Sequence, residues 1–177
     1  ALVFHISGGT TDLLLCNGVT VQQTLGTSLD LYAGQAVDRI GVKLGFPFPA
    51  GEHLSRLAAK CPQQPRVKAV LKGMNCHLSG LENQCSALLD KGYPPAYVAK
   101  YCLCTVGETV FRMVEAAYAA GFRLPVVCAG GVMSSQIVRD YVTARLRDVC
   151  FVPGQFASDN AIGVAIIAAK EVGAWPM

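Results

Sequence analysis

The chain has 177 residues, room for one domain or two small ones, with a formal net charge of +3 and a pI of about 8.5. This mild charge, with no dense Lys/Arg run, permits an RNA partner without arguing for one, and the absence of a basic leader or of any apolar run near the ~18 residues of a span reads against a signal peptide and a membrane protein. Hydrophobic residues make up 52% and charged residues 15%, with mean hydropathy +0.38, so the sequence calls for an extensive core or a surface covered by something else.

Leu2–Ser7, Thr11–Asn17 and Thr20–Gly26 read as three strands of a meander, the last two joined at Asn17-Gly18, a type I′ hairpin signal. A helix is expected over Leu31–Leu44, with Ala33, Ala36, Val37, Ile40 and Leu44 on one stripe. Asp30 is placed to cap its start and Gly45 to close it. Phe46–Gly51 is a rigid proline turn and Glu52–Ala59 a short helix. The stretch 61–78, rich in Pro, Gln and Lys, reads as a loop or a small excursion. Gly80–Leu89 is helical, and Pro94-Pro95 opens a long helix to about Ala120, because proline suits a first helical turn. A buried strand over 125–129, a helix over 133–146, a strand at Val149–Val152 and a last, apolar helix over Asp159–Val172 complete the chain. Strands first, then helices alternating with strands, give an α/β architecture.

Two glycine turns carry the functional signal. Ile6-Ser7-Gly8-Gly9-Thr10-Thr11-Asp12 joins two apolar strands and adds two threonine hydroxyls and a carboxylate. Gly8 and Gly9 can take positive φ, and consecutive N–H groups there make a nest for an anion. A phosphate-binding hairpin and a plain polar hairpin tip both fit this motif. The second turn, Gly130-Gly131, leaves the strand 125–129 and enters a helix, a geometry that lays a helix start against a phosphate or base. It does not meet G-x-G-x-x-G, so a dinucleotide fingerprint is not claimed. Together the turns imply one nucleotide site built from both ends of the chain. The eight cysteines include no C-x-x-C pair, and Cys16, Cys128 and Cys150 fall in apolar strand patterns, so reduced cysteines and a cytoplasmic location are expected rather than a disulfide framework or a zinc site.

The hairpin resembles the phosphate loop of the actin, Hsp70 and sugar-kinase ATPase superfamily. The chain as a whole is similar to one branch of it, the TsaD or glycoprotease (O-sialoglycoprotein endopeptidase-like) family of tRNA threonylcarbamoyladenosine synthases. That family reads roughly V-S-G-G-H-T, L-G-E-T-x-D-D-A-A-G-E-A-F-D-K, Y-P-G-G, S-F-S-G-L-K, A-G-G-V-x-A-N and C-T-D-N-x-A-M-I-A. The counterparts here are Ile6–Thr11, Leu25–Arg39, Phe48–Gly51, Cys76–Leu81, Ala129–Ser135 and Ala157–Ala165, in the same order and covering nearly all of the chain. Thr10 stands where the family has His, Gln35 for Glu, Leu31 for its second Asp, and Ser135 for Asn. The family's N-terminal half, with a first phosphate loop and an H-x-x-x-H metal pair, has no counterpart, and His5, His53 and His77 are isolated and read as ordinary histidines.

The resemblance implies an RNase H-like (actin-like ATPase) lobe, with residues 1–177 forming a single C-terminal lobe. The chain would be either part of a longer protein, which its opening on a core strand favours, or a divergent shortened relative. It implies that ATP or an adenylate intermediate is held at Ile6, Ser7, Gly8, Gly9 and Thr10, with Asp38 and Gly51 on the ribose side and Gly130, Gly131 and Ser135 by the base. Asp159 would be the one remaining metal ligand, although in an isolated chain a helix N-cap is the preferred reading of it, and a divalent metal is expected only alongside an N-terminal lobe. Catalytic residues are left unassigned. tRNA would be reached only through the full enzyme, with a homodimer or a TsaB-like protein as partner and no membrane. The competing class is a non-catalytic, degenerate partner subunit. A peptidase reading has no support, because neither H-E-x-x-H nor a nucleophile elbow is present.

Overall fold

A computed structural model describes residues 1–157, 167–169 and 173. The N-terminal meander is β1 (Leu2–Ile6), β2 (Thr11–Asn17) and β3 (Thr20–Thr27), paired antiparallel in sequence order. Two later strands, β6 (Val126–Ala129) and β7 (Val149–Phe151), lie parallel to β1, giving one five-stranded sheet in the order β3-β2-β1-β6-β7. Leu2 pairs with Val126 and His5 with Ala129, so strands more than a hundred positions apart are direct neighbours. This is the meander-plus-parallel arrangement of an RNase H-like lobe.

Alternation decides which face is buried. Leu2, Phe4 and Ile6 of β1, Leu13 of β2, and Val126 and Cys128 of β6 are at most 1% exposed, and the intervening Val3 and His5 point to the other face. Among the described residues the core is covered by α1 (Ala33–Lys43), α2 (Gly51–Ala59), α3 (Gly80–Asp90), α4 (Pro95–Ala119) and α5 (Gln136–Thr143). α4 begins with proline at its first position, buries Val98, Leu103, Val106, Val110 and Met113, and touches each of the other four helices. No described helix is long and apolar enough to cross a membrane.

The sequence expectations hold in their order and differ in their joints. The β2–β3 turn is centred on Gly18-Val19, and only Gly18 has positive φ (56°), the II′ arrangement rather than I′. Asp30 does not cap α1. Its carboxylate instead accepts the N–H groups of Leu31 (2.7 Å) and Leu78 (2.8 Å) and the Ser79 hydroxyl (2.6 Å), with His77 Nδ1 at 3.3 Å. The α1 start is capped from the sheet: Ala33 N–H donates to Thr11 Oγ1 at 2.8 Å and Gly34 N–H to the Ser7 carbonyl at 3.2 Å. Within 61–78 there is a small hairpin, β4 (Val70–Lys72) with β5 (Asn75–His77), turning on Gly73 at φ 62°. The helix foreseen over 133–146 begins as a 3₁₀ turn at Gly131–Ser134 before α5. Of the expected last helix, residues 167–169 are described and helical, with Ile167 39% exposed rather than buried.

Candidate functional site: a cleft at the strand ends

The carboxyl ends of β1, β6 and β7 open on one cleft of about 820 Å³. In open α/β sheets this end of parallel strands is where ligands bind, and the volume lies within the usual range for small-molecule sites. Chain order explains the convergence. The hairpin after β1 supplies Ser7 and Gly8, the turn after β6 supplies Gly130, Gly131 and Ser135, and α1 and α2 supply Asp38 and Gly51 from the facing wall. Val152 and Phe156, just past β7, close the far side.

Seven of the sequence-predicted site residues therefore share this cleft, and three do not line it. Ile6 is buried at 1% exposure and supports the site from beneath. Gly9 sits on the exposed tip, and Thr10 lies behind Ser7, bonded to it (Oγ–Oγ 2.9 Å). The expected positive φ at Gly8 and Gly9 is not adopted, and a Cβ at either would meet nothing within 4 Å. The glycine requirement lies in the opposing turn. Gly130 has φ 100° and ψ 159°, a region essentially limited to glycine, and a Cβ there would sit 2.1 Å from the Ile6 carbonyl oxygen. A second close approach is at Gly34, whose Cβ would lie 2.4 Å from the Ser7 oxygen. Glycine thus lets the three walls meet, and the hairpin tip is held by Gly9 N–H donating to Ser7 Oγ at 3.2 Å.

Polar groups of the cleft are arranged to accept and to donate. Asp38 Oδ1 accepts the Ala50 N–H at 2.8 Å, which fixes the proline turn before α2, and its second oxygen has no hydrogen-bond partner among the described residues. Arg39, its neighbour in sequence, pairs instead with Glu82 at 3.6 Å. The N–H groups of Gly8 and Gly131 likewise have no protein acceptor among the described residues. Ser135, 9% exposed, shares a hydrogen bond with Ser55 at 2.9 Å. The described lining holds two acids, Asp38 and Glu52, and no Lys or Arg, so an anionic group would rest on backbone N–H groups and hydroxyls.

Residues the sequence reading passed over also line the cleft. His5 of β1 and His53 and Ser55 of α2 are among them, and Ser55 is hydrogen-bonded to Ser135. His5 is two positions before Ser7 on a strand and so shares its face, and Ser55 follows Gly51 by one helical turn; both spacings were available signals. His53 stacks on Phe46, rings 5.5 Å apart and 11° from parallel. Asp159 lies outside the described residues, and among those described no three His, Cys, Asp or Glu side chains gather as a metal site. The donors lining the cleft among the described residues are backbone N–H groups and hydroxyls.

The family model for TsaD, tRNA N6-adenosine threonylcarbamoyltransferase, matches residues 2–166. The chain belongs to the TsaD family. It is 33% identical over 175 residues to a tRNA N6-adenosine threonylcarbamoyltransferase of Anaeromyxobacter dehalogenans, covering 91% of this chain and 52% of that protein. Another of that name from Thermus thermophilus is 29% identical over 171 residues, covering 94% and 53%. The chain thus spans about half the length of the curated relatives it matches. Among solved structures, component A of Acidaminococcus fermentans (R)-2-hydroxyglutaryl-CoA dehydratase superposes with TM-score 0.70 over 97% of this chain and 62% of its own, at 20% identity, a likeness of fold.

Proposed function

We propose that this chain is the adenylate-holding lobe of a tRNA N6-adenosine threonylcarbamoyltransferase and does not carry out the transfer by itself. The observation that carries the reading is the single cleft in which Ser7 and Gly8, Asp38 and Gly51, and Gly130, Gly131 and Ser135 converge at the ends of three parallel strands. Gly8 and Gly131 N–H groups suit a phosphate or carbamoyl oxygen, the free oxygen of Asp38 suits ribose hydroxyls, and the Ser55–Ser135 pair offers hydroxyls to a base edge.

Inactivity alone follows from charge. Transferring a threonylcarbamoyl group to an adenine amine develops negative charge on the carbamoyl oxygen and on the departing phosphate. Stabilising it requires donors and cations preorganised together. The described cleft lining has two acids and no Lys or Arg, so cations must come from elsewhere. A divalent metal enters with further protein ligands, and a second copy or a TsaB-like companion completes the assembly that meets tRNA. Incubation of residues 1–177 with threonylcarbamoyl-adenylate and unmodified tRNA tests this: no modified adenosine is expected, and measurable transfer by the chain alone overturns it.

A further inference from the structure

Behind the cleft wall three side chains form a continuous hydrogen-bonded row. Ser7 Oγ lies 2.9 Å from Thr10 Oγ1, and Thr10 Oγ1 lies 3.0 Å from His5 Nδ1. Ser7 and His5 face the cleft, and Ser7 Oγ also accepts the Gly9 N–H. A hydroxyl oxygen accepts two hydrogen bonds and donates one, so the direction of the row is fixed by its histidine end.

We infer that Thr10 and His5 are positioning residues that aim the Ser7 hydroxyl, and that a proton on His5 turns Ser7 from donating inward to donating into the cleft. With neutral His5 protonated at Nε2, Nδ1 accepts from Thr10, Thr10 accepts from Ser7, and the Ser7 proton is used inside the protein. With His5 protonated on both nitrogens, Nδ1–H donates to Thr10 and Thr10 donates to Ser7. Ser7 Oγ, already accepting from Gly9 N–H, then has both acceptor sites filled, and its own O–H is directed outward to a ligand oxygen. No bond between heavy atoms is made or broken; the added proton reverses two hydroxyls. The charged and titratable groups around His5 are Asp12, its cross-strand partner on β2, and Asp38, Glu52 and His53, which line the same cleft; its neighbour on β6, Ala129, carries none.

The inference rests on the cleft being an adenylate site, and its test separates the two. The probe is adenosine 5′-phosphosulfate, a mixed anhydride of the adenylate whose charges do not titrate across the histidine range. Calorimetry on the full chain is expected to show binding about tenfold tighter near pH 5.5 than near pH 8, the fold-change of one hydrogen bond to a charged group. Thr10→Val retains every charge but cuts the row, so it loses most of that pH dependence, and Thr10→Ser regains it. Retention of the parent pH profile in Thr10→Val overturns the inference. Imidazole ¹⁵N shifts of the ligand-free chain give a second readout: near pH 8 His5 is the Nε2–H tautomer in the parent and in Thr10→Ser, and moves toward a mixture in Thr10→Val. Identical His5 spectra in parent and Thr10→Val also overturn it. Failure of the parent to bind the probe at either pH contradicts the adenylate reading instead, and the ligand-free spectra still decide the row.

Discussion

Gly130→Ala is the substitution that tests the geometry of the cleft most sharply. Gly130 occupies φ 100°, ψ 159°, and placing an L-residue there costs about 1–3 kcal/mol in backbone strain. The new Cβ would also lie 2.1 Å from the Ile6 oxygen and 2.7 Å from the Ile6 carbon. Both are backbone atoms of the strand that pairs with β6, so relief requires β1 and β6 to separate by about 1 Å where their ladder ends. Strain and lost packing together give an expected loss of about 3–4 kcal/mol. Gly9→Ala is the control: Gly9 has no positive φ and open space around its Cβ position, so its effect stays within about 0.5 kcal/mol. Urea unfolding followed by far-UV circular dichroism reads both. A Gly130→Ala midpoint equal to the parent's, or a Gly9→Ala loss matching that of Gly130→Ala, refutes the assignment of the close approach to the second turn.

Three further outcomes follow from the packing. Burial pushes the Asp30 carboxyl up, but the Ser79 hydroxyl and the N–H groups of Leu78, Leu31 and Ser79 outweigh it and hold the group well below the usual carboxylate range. Its stabilisation is therefore complete above about pH 4 and is lost as pH falls below that, so Asp30→Asn costs about 2 kcal/mol at pH 7 and progressively less in acid, read from melting temperatures across pH. Glu108, with 9% side-chain exposure, accepts from Arg112 Nε (2.7 Å) and Tyr141 Oη (3.0 Å), and burial with that contact pushes the Tyr141 hydroxyl up to about 12. Tyr141→Phe leaves a buried carboxylate short of one donor and is expected to cost about 1.5 kcal/mol in the same unfolding assay. Burial raises the thiols of Cys76 to about 11 and Cys128 to about 12, so a thiol reagent on the native chain should label exposed Cys150 and half-exposed Cys16 first and spare the rest until unfolding.

Elements governed by local rules were legible in the sequence. The proline pair set the start of α4, Gly45 closed α1 at φ 90°, and the apolar run over Leu2–Ser7 marked β1. What depended on distant partners was not. Asp30 has the local look of an N-cap, yet two of its donors, Leu78 and Ser79, lie nearly fifty residues on. The strands of the 70–77 hairpin are three residues each, too short to show a period, and Gly73 was their one turn signal. Glycines in the first turn drew attention by their number, whereas the constraint falls on Gly130 and Gly34, whose neighbours are Ile6 and Ser7 across the fold. Strand position makes Cys150 look apolar and buried, but β7 is the sheet edge and the side chain is exposed.

The central claim is that the cleft binds an adenine nucleotide. The measurement closest to it is an amide ¹H–¹⁵N titration of the chain with ATP. Weak binding is predicted, with a dissociation constant on the order of millimolar, because one lobe offers few contacts against the cost of association. The shifted amides should be those of Gly8, Asp38, Gly51, Gly130, Gly131 and Ser135, with the 61–78 segment unmoved. No shifts at millimolar ATP, or shifts centred on that segment instead of the cleft, would contradict the account.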